Sequence, residues 1–192
     1  KQETMNAARH FNGVLRIGIV SSLIGSDALG WLCGFSKQYP GIHYEINEAD
    51  TYHLLSQFET NAIHLALLRT PFHTDSLTCK KLFTDSLVAV GQESFFADNR
   101  LRKEFEDKNL SANWFCINDD ARTTLYFVEM GMGVGIIPQS AATLVQKKGI
   151  VCRPVKNCDI ATDVVLAYNS TYLPECSRAF IEYLDTLYPN IP

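Results

Sequence analysis

Residues 14–20, Val-Leu-Arg-Ile-Gly-Ile-Val, form an apolar, β-rich run that stops at Ser21 and Ser22. Leu29, Leu32, Cys33 and Phe35 then recur at helical spacing until Tyr39, Pro40 and Gly41 end the pattern, which predicts strand, turn and helix in that order. Ile42, Tyr44 and Ile46 alternate with polar neighbours, as in a half-buried strand. Asp50 and Thr51 offer an N-cap, and Leu54, Leu55 and Phe58 supply the stripe of a second helix. A third strand is expected at 62–68. This β-α-β-α-β order, with helical connections, argues for a parallel sheet with right-handed crossovers. Arg69, Thr70 and Pro71 break the pattern, and two short strands are expected beyond them, at 77–83 and 86–90.

From Gln92 to Ser111 the chain is polar and carries Arg100, Arg102, Lys103, Glu104, Glu106, Asp107 and Lys108, the composition of a solvated helix rather than of a binding stripe. The β-α-β pattern then restarts with a strand at 114–117, a cap at Asp119 and Asp120, a helix at 125–130, and a strand at 134–137 closed by Pro138. A helix at about 139–146, strands at 150–155 and 163–168, and a last helix at 173–187 complete the chain. Two βα-rich halves with a reordering between them predict an α/β fold of two lobes joined by crossing strands. The expected boundaries are 13–88 with 169–192 for the first lobe and 89–168 for the second, with 1–12 ahead of both.

Charge narrows the function classes. Seventeen Lys and Arg against 21 Asp and Glu leave a net charge of -4, so this segment has no basic surplus with which to grip a phosphate backbone. No apolar stretch approaches the ~18–20 residues that span a bilayer, and the opening residues lack the apolar core of a signal peptide. A cytoplasmic, non-membrane protein is expected. Because Lys1 comes first and Met5 opens no recognisable structure, the segment is expected to be part of a longer polypeptide.

The cysteines at 33, 79, 116, 152, 158 and 176 form no Cys-x-x-Cys pair, and four sit in apolar runs such as Trp31-Leu32-Cys33 and Phe115-Cys116-Ile117. Buried, reduced thiols are the expectation, with a Cys152–Cys158 redox pair as the alternative. The histidines at 10, 43, 53, 64 and 73 show no ligand spacing. Neither a metal nor a cofactor is expected.

Ser21 and Ser22 fall where a parallel strand passes into a helix, so their hydroxyls and the following N–H groups face the crevice at the strand ends, a setting that favours anions. A plain serine cap is the competing reading. Thr51 heads the second helix in the same way, with the same alternative. Arg69 follows the apolar run Ala66-Leu67-Leu68, placing a guanidinium where it can hold a carboxylate or, alternatively, form an ion pair between lobes. Thr70 and Pro71 stiffen the exit and Phe72 offers an apolar wall. Asn118 and Asp119, at the matching strand end of the second lobe, could close the cleft, although a cap accounts for Asp119 equally well. The glycines at 131, 133 and 135 join a helix to a strand, the reverse of a phosphate-binding loop. No Gly-x-Ser-x-Gly elbow or catalytic base accompanies the serines.

Three segments together resemble the effector-binding domain of LysR-type transcriptional regulators. Gly13 to Ile19 is similar to that family's G-x-L-R-I-G strand, Phe35 to Gly41 to its F-x-x-x-Y-P-G signature, and Gly131 to Pro138 to its G-x-G-V-x-x-x-P signature. The resemblance implies a type 2 periplasmic-binding-protein-like fold of two Rossmann-like lobes, with residues 6–11 as the end of a linker helix. It also implies that Ser21, Ser22 and Thr51 stand where relatives hold effector carboxylates. The partners implied are a small anionic metabolite, a second copy in a homodimer or homotetramer, and DNA reached only through a helix-turn-helix domain outside this chain. Two features depart from the pattern: His64 replaces a frequent acidic residue, and the stretch between Val90 and Trp114 is short.

The resulting expectation is a regulatory sensor that binds its effector between the lobes without catalysis. An extracytoplasmic solute-binding protein for anion transport is the alternative, and an enzyme on the same fold lacks a catalytic pair.

Overall fold

The computed structural model describes residues 12–24, 27–97, 115–118, 120–155 and 160–188. The chain divides into two compact units, residues 1–85 with 162–192, and residues 86–161.

In the first unit, β1 (Gly13–Val20) lies between β2 (Ile42–Ala49) and β3 (Leu65–Arg69), parallel to both. The connections are the helices α1 (Asp27–Gln38) and α2 (Thr51–Glu59). β1 has side chains buried on both faces, as expected of a central parallel strand: Leu15, Ile17 and Ile19 on one, Gly18 and Val20 on the other. Gly18 is the point of closest approach, since a Cβ there would come within 2.7 Å of Leu54 Cδ2 and 2.9 Å of Ile63 Cδ1. The sheet continues antiparallel from β3 to β7 (Ala161–Tyr168), with Leu67 opposite Leu166.

The second unit holds the far part of β4 (Thr78–Gln92), on which β5 (Gly135–Pro138) and β6 (Ile150–Pro154) both pair antiparallel. Among the described residues its helices are α3 (Glu93–Ala97) and α4 (Ala121–Glu129), followed by a 3-10 segment at Gln139–Leu144. A small core of Val88, Val90, Leu125, Val128 and Ile137 fills it. The last helix, α5 (Glu175–Leu187), returns to the first unit. There Cys176 Sγ donates to the Val14 carbonyl at 3.2 Å, and Phe180 meets Phe35 of α1 edge-on, ring centroids 5.1 Å apart.

Several expectations change. The two strands expected at 77–83 and 86–90 are one 15-residue strand, because Thr84 and Asp85, polar residues between them, find partners on β7 and β3. The lobe division falls at 85/86 and 161/162 rather than at 88/89 and 168/169, since β7 pairs with β3 and so belongs to the first unit. Helix α4 begins at Ala121, four residues earlier than the apolar spacing suggested, because the Asp120 carboxylate accepts from the Arg122 N–H at 3.0 Å and caps it there. The helix expected at about 139–146 is a 3-10 helix over Gln139–Leu144. Residues 115–118 are not a strand, and Trp114 lies outside the described residues, as does most of the helix expected between 92 and 111.

Candidate functional site

The strand order β2-β1-β3-β7 gives the first unit a topological switch. The chain leaving β1 turns toward β2, while the chain leaving β3 passes to the opposite side of the sheet. Open α/β sheets bind ligands in the crevice outside the strand ends at such a point. Here that crevice is bordered by Ser21 and Ser22 after β1, Thr51 after β2, and Arg69 and Thr70 at the end of β3. The registers Ile19↔Leu67 and Val20↔Ala49 bring these three strand ends to one level.

Arg69 is already engaged. Its Nη1 lies 2.7 Å from Asp85 Oδ2, with only 12% of the arginine side chain and 2% of the aspartate exposed. Nη1 also donates to Thr162 Oγ1 at 3.1 Å, and Nε donates to Ser22 Oγ at 2.9 Å. The guanidinium is therefore neutralised within the first unit and holds the Ser22 hydroxyl in place. The ion-pair alternative accounts for its charge, and the pair ties β3 to β4 inside one unit rather than bridging two lobes. Thr70 is similarly anchored, its hydroxyl accepting from the Asp163 N–H at 3.0 Å. The Thr70–Pro71 bond is cis, and Phe72 packs against the first-unit core.

Ser21 and Ser22 do not cap α1. They belong to a separate 3-10 turn, Ser21–Leu23, closed by Ile24 N–H donating to the Ser21 carbonyl at 3.2 Å. Thr51 is the first residue of α2, but the cap is Asp50, whose carboxylate accepts from the His53 N–H at 3.0 Å. That bond holds the Asp50 carboxyl below its ordinary range. An anion at this helix start has to share its donors with Asp50.

In the second unit Asn118 is bound to the beginning of α4. Its Nδ2 donates to Thr124 Oγ1 at 3.1 Å, and its Oδ1 accepts from the Asp120 N–H at 3.0 Å. It also lines an open cavity of about 270 Å³ with Phe115, Thr124, Phe127 and Met132. Asp119 lies outside the described residues. Among the described residues no group of three His, Cys, Asp or Glu side chains could hold a metal ion, and no helix is long and apolar enough to cross a membrane.

Sequence reasoning missed Asp85, Thr162 and Asp163, which organise Arg69 and Thr70. The signal for Asp85 was a carboxylate midway along β4, just ahead of the apolar run Leu87–Val90. Two thiols expected to be buried, Cys33 and Cys116, are exposed. Cys33 misses the inward stripe of α1, which is Ala28, Trp31, Leu32 and Phe35. Cys158 of the redox alternative lies outside the described residues, and burial pushes the Cys152 thiol up.

Two α/β units with this sheet define a two-lobed binding domain of the periplasmic-binding-protein-like class. The chain belongs to the LysR substrate binding domain family, whose model matches residues 8–107 and 95–188, and is the effector-binding domain of a LysR-type regulator. The HTH-type transcriptional regulator CzcR of Bacillus subtilis (strain 168) is 19% identical over 191 residues, covering 89% of this chain and 66% of CzcR. The chain thus spans a little under two thirds of the length of that relative. The effector-binding domain of a BenM variant superposes with a TM-score of 0.75 at 15% identity, covering 92% of this chain and 94% of its own. Full-length CbnR complexed with its target DNA gives 0.76 at 13%, covering 96% and 73%. The regulatory domain of a Vibrio vulnificus OxyR2 mutant gives 0.73 at 14%, covering 93% and 95%. These structural likenesses are evidence of fold.

Proposed function

We propose that this domain senses a small carboxylate-bearing metabolite at the strand ends of the first unit, and that occupancy is relayed to a DNA-binding helix-turn-helix domain of the same regulator. The observation that carries the reading is the pairing of Ser22 with Arg69 at the switch point between β1 and β3. That bond fixes a hydroxyl at the crevice where ligands of open α/β sheets dock, with Ser21 beside it and Thr51 at the neighbouring strand end. Arg69 positions Ser22 and is not itself a free cation. Hydroxyl and backbone donors therefore carry the recognition, which favours a small, singly or doubly charged acid over a polyanion.

Binding rather than catalysis is the proposed role, in keeping with a family defined by substrate binding and a curated relative named as a transcriptional regulator. The full regulator is proposed to work in the cytoplasm as a homodimer or homotetramer.

Calorimetric titration of a carboxylate panel tests the reading. Ser21→Ala, Ser22→Ala and Thr51→Val should each weaken a carboxylate that binds the wild type by about tenfold, the worth of one hydrogen bond to a charged group. Undiminished affinity in all three variants removes the site from consideration.

A further inference from the structure

A groove of about 710 Å³ runs along the outer side of α2, between that helix and residues 73–77 of the chain leaving β3. Its volume falls within the roughly 300–1,000 Å³ typical of small-molecule sites. Every residue lining it belongs to the first unit. Tyr52, Leu55 and Glu59 recur at spacings of three and four on α2 and so present one face. The opposite wall supplies His73, Asp75 and Leu77.

The floor and the rim differ in chemistry. Leu55 and Leu77 are half-buried and packed against the first-unit core, giving an apolar base that water alone covers poorly. Glu59 and Asp75 are exposed, and neither takes part in an ion pair among the described residues. The lining holds no lysine or arginine to balance them. Tyr52, 73% exposed, adds an aromatic face of the kind that attracts cations.

We propose that this groove is a second ligand site, taking a small organic cation whose apolar body lies on Leu55 and Leu77 and whose ammonium group is met by Glu59 and Asp75. The charge is complementary, and the two carboxylates need no rearrangement of existing bonds to receive it. The groove shares no residue with Ser21, Ser22, Thr51 and Arg69, so a failed carboxylate titration leaves it standing.

The test uses phenethylammonium as probe, with the neutral 2-phenylethanol as its control, followed through backbone amide resonances of the intact chain. Saturable shifts centred on residues 52–59 and 73–77 are expected. The alcohol should bind about tenfold more weakly, and Glu59→Gln combined with Asp75→Asn should weaken the amine by about the same factor. Both positions are solvent-exposed, so the double variant should melt with the wild type. Ser22→Ala should leave the amine's affinity unchanged. Absence of saturable binding at millimolar amine, equal affinity for the alcohol, shifts centred elsewhere, or full affinity in the double variant would each overturn the assignment.

Discussion

Arg69 Nη1 and Asp85 Oδ2 stand 2.7 Å apart, the carboxylate almost wholly removed from solvent. Removing one member of such a pair leaves the other as an uncompensated buried charge, at about 3–5 kcal/mol. Arg69→Ala should therefore lose about that much unfolding free energy in urea. Replacing both residues together, Arg69→Leu with Asp85→Leu, should recover a large part of it. Ser22→Ala removes only one hydrogen bond to the guanidinium and should cost about 1–2 kcal/mol. Equal stability of Arg69→Ala and the wild type would show that the pair contributes nothing to the first unit.

His64 gives stability a pH dependence of definite sign. Burial, reinforced by the nearby Arg16 and opposed by Glu45, holds its imidazole pKa below the ordinary histidine value of 6.5. Its Nδ1 is buried without a hydrogen-bond partner, and Tyr172 meets the ring edge-on. The unfolded chain thus takes up a proton at a pH where the folded one does not, and stability falls as pH drops below 6.5 until the folded pKa is passed. Melting temperatures measured between pH 7.5 and 5 should decline in the wild type and less steeply in His64→Gln. Parallel profiles would remove His64 as the cause.

Gly18→Ala places a methyl group against Leu54 and Ile63. Both are fully buried, so the site has little room to yield, and a loss of about 1–3 kcal/mol is expected. Gly30 on α1 is the internal control. A Cβ there meets nothing within 4 Å, and an alanine should stabilise the helix by up to about 1 kcal/mol. Thermal melts of the two single variants should move in opposite directions.

Thiol accessibility separates the cysteines. Cys33 and Cys116 are exposed, whereas Cys176 is buried against β1. A maleimide pulse on the native protein, read by mass spectrometry of its peptides, should modify the first two and reach Cys176 only after unfolding. Early labelling of Cys176 would mean that α5 detaches from β1 under native conditions.

Self-association is expected at the first unit. β2 ends the strand order, and Leu29 of α1 and Ile46 of β2 are exposed apolar side chains. An unprotected strand edge beside apolar surface is a ready interface. Sedimentation at micromolar concentration should give a species larger than the monomer, and Leu29→Glu with Ile46→Lys should shift it toward the monomer. A wild type that sediments as a monomer removes the interface.

The parallel trio β1, β2 and β3 was legible because each strand is an unbroken apolar or alternating run set off by a helical stripe. The boundary errors share one cause. Thr84 and Asp85 interrupt an apolar pattern, and nothing local shows that Asp163 and Arg69, 79 and 16 residues away, satisfy them. Strand pairing over such separations carries no short-range signal. The candidate site was legible in position but only partly in role. Strand ends place Ser22 and Arg69 together, whereas the neutralising Asp85 comes from a strand that the sequence divides in two. Cys33 shows the same limit at the scale of one helix: an apolar run such as Trp31-Leu32-Cys33 wraps around the axis, and only part of it faces inward.

The second unit is one uninterrupted stretch, 86–161, whereas the first is assembled from 1–85 and 162–192. During synthesis the first unit's sheet must wait, with β3 lacking its partner β7 and β1 lacking the cover of α5, until residues 162–192 leave the ribosome. The inserted unit has its whole sequence in hand before then. Vectorial synthesis therefore favours completion of the inserted unit before the unit whose two segments flank it, although part of the latter is made first. A nascent chain arrested before Ala161 should expose the unpaired backbone edge of β3 and be the species most in need of a chaperone.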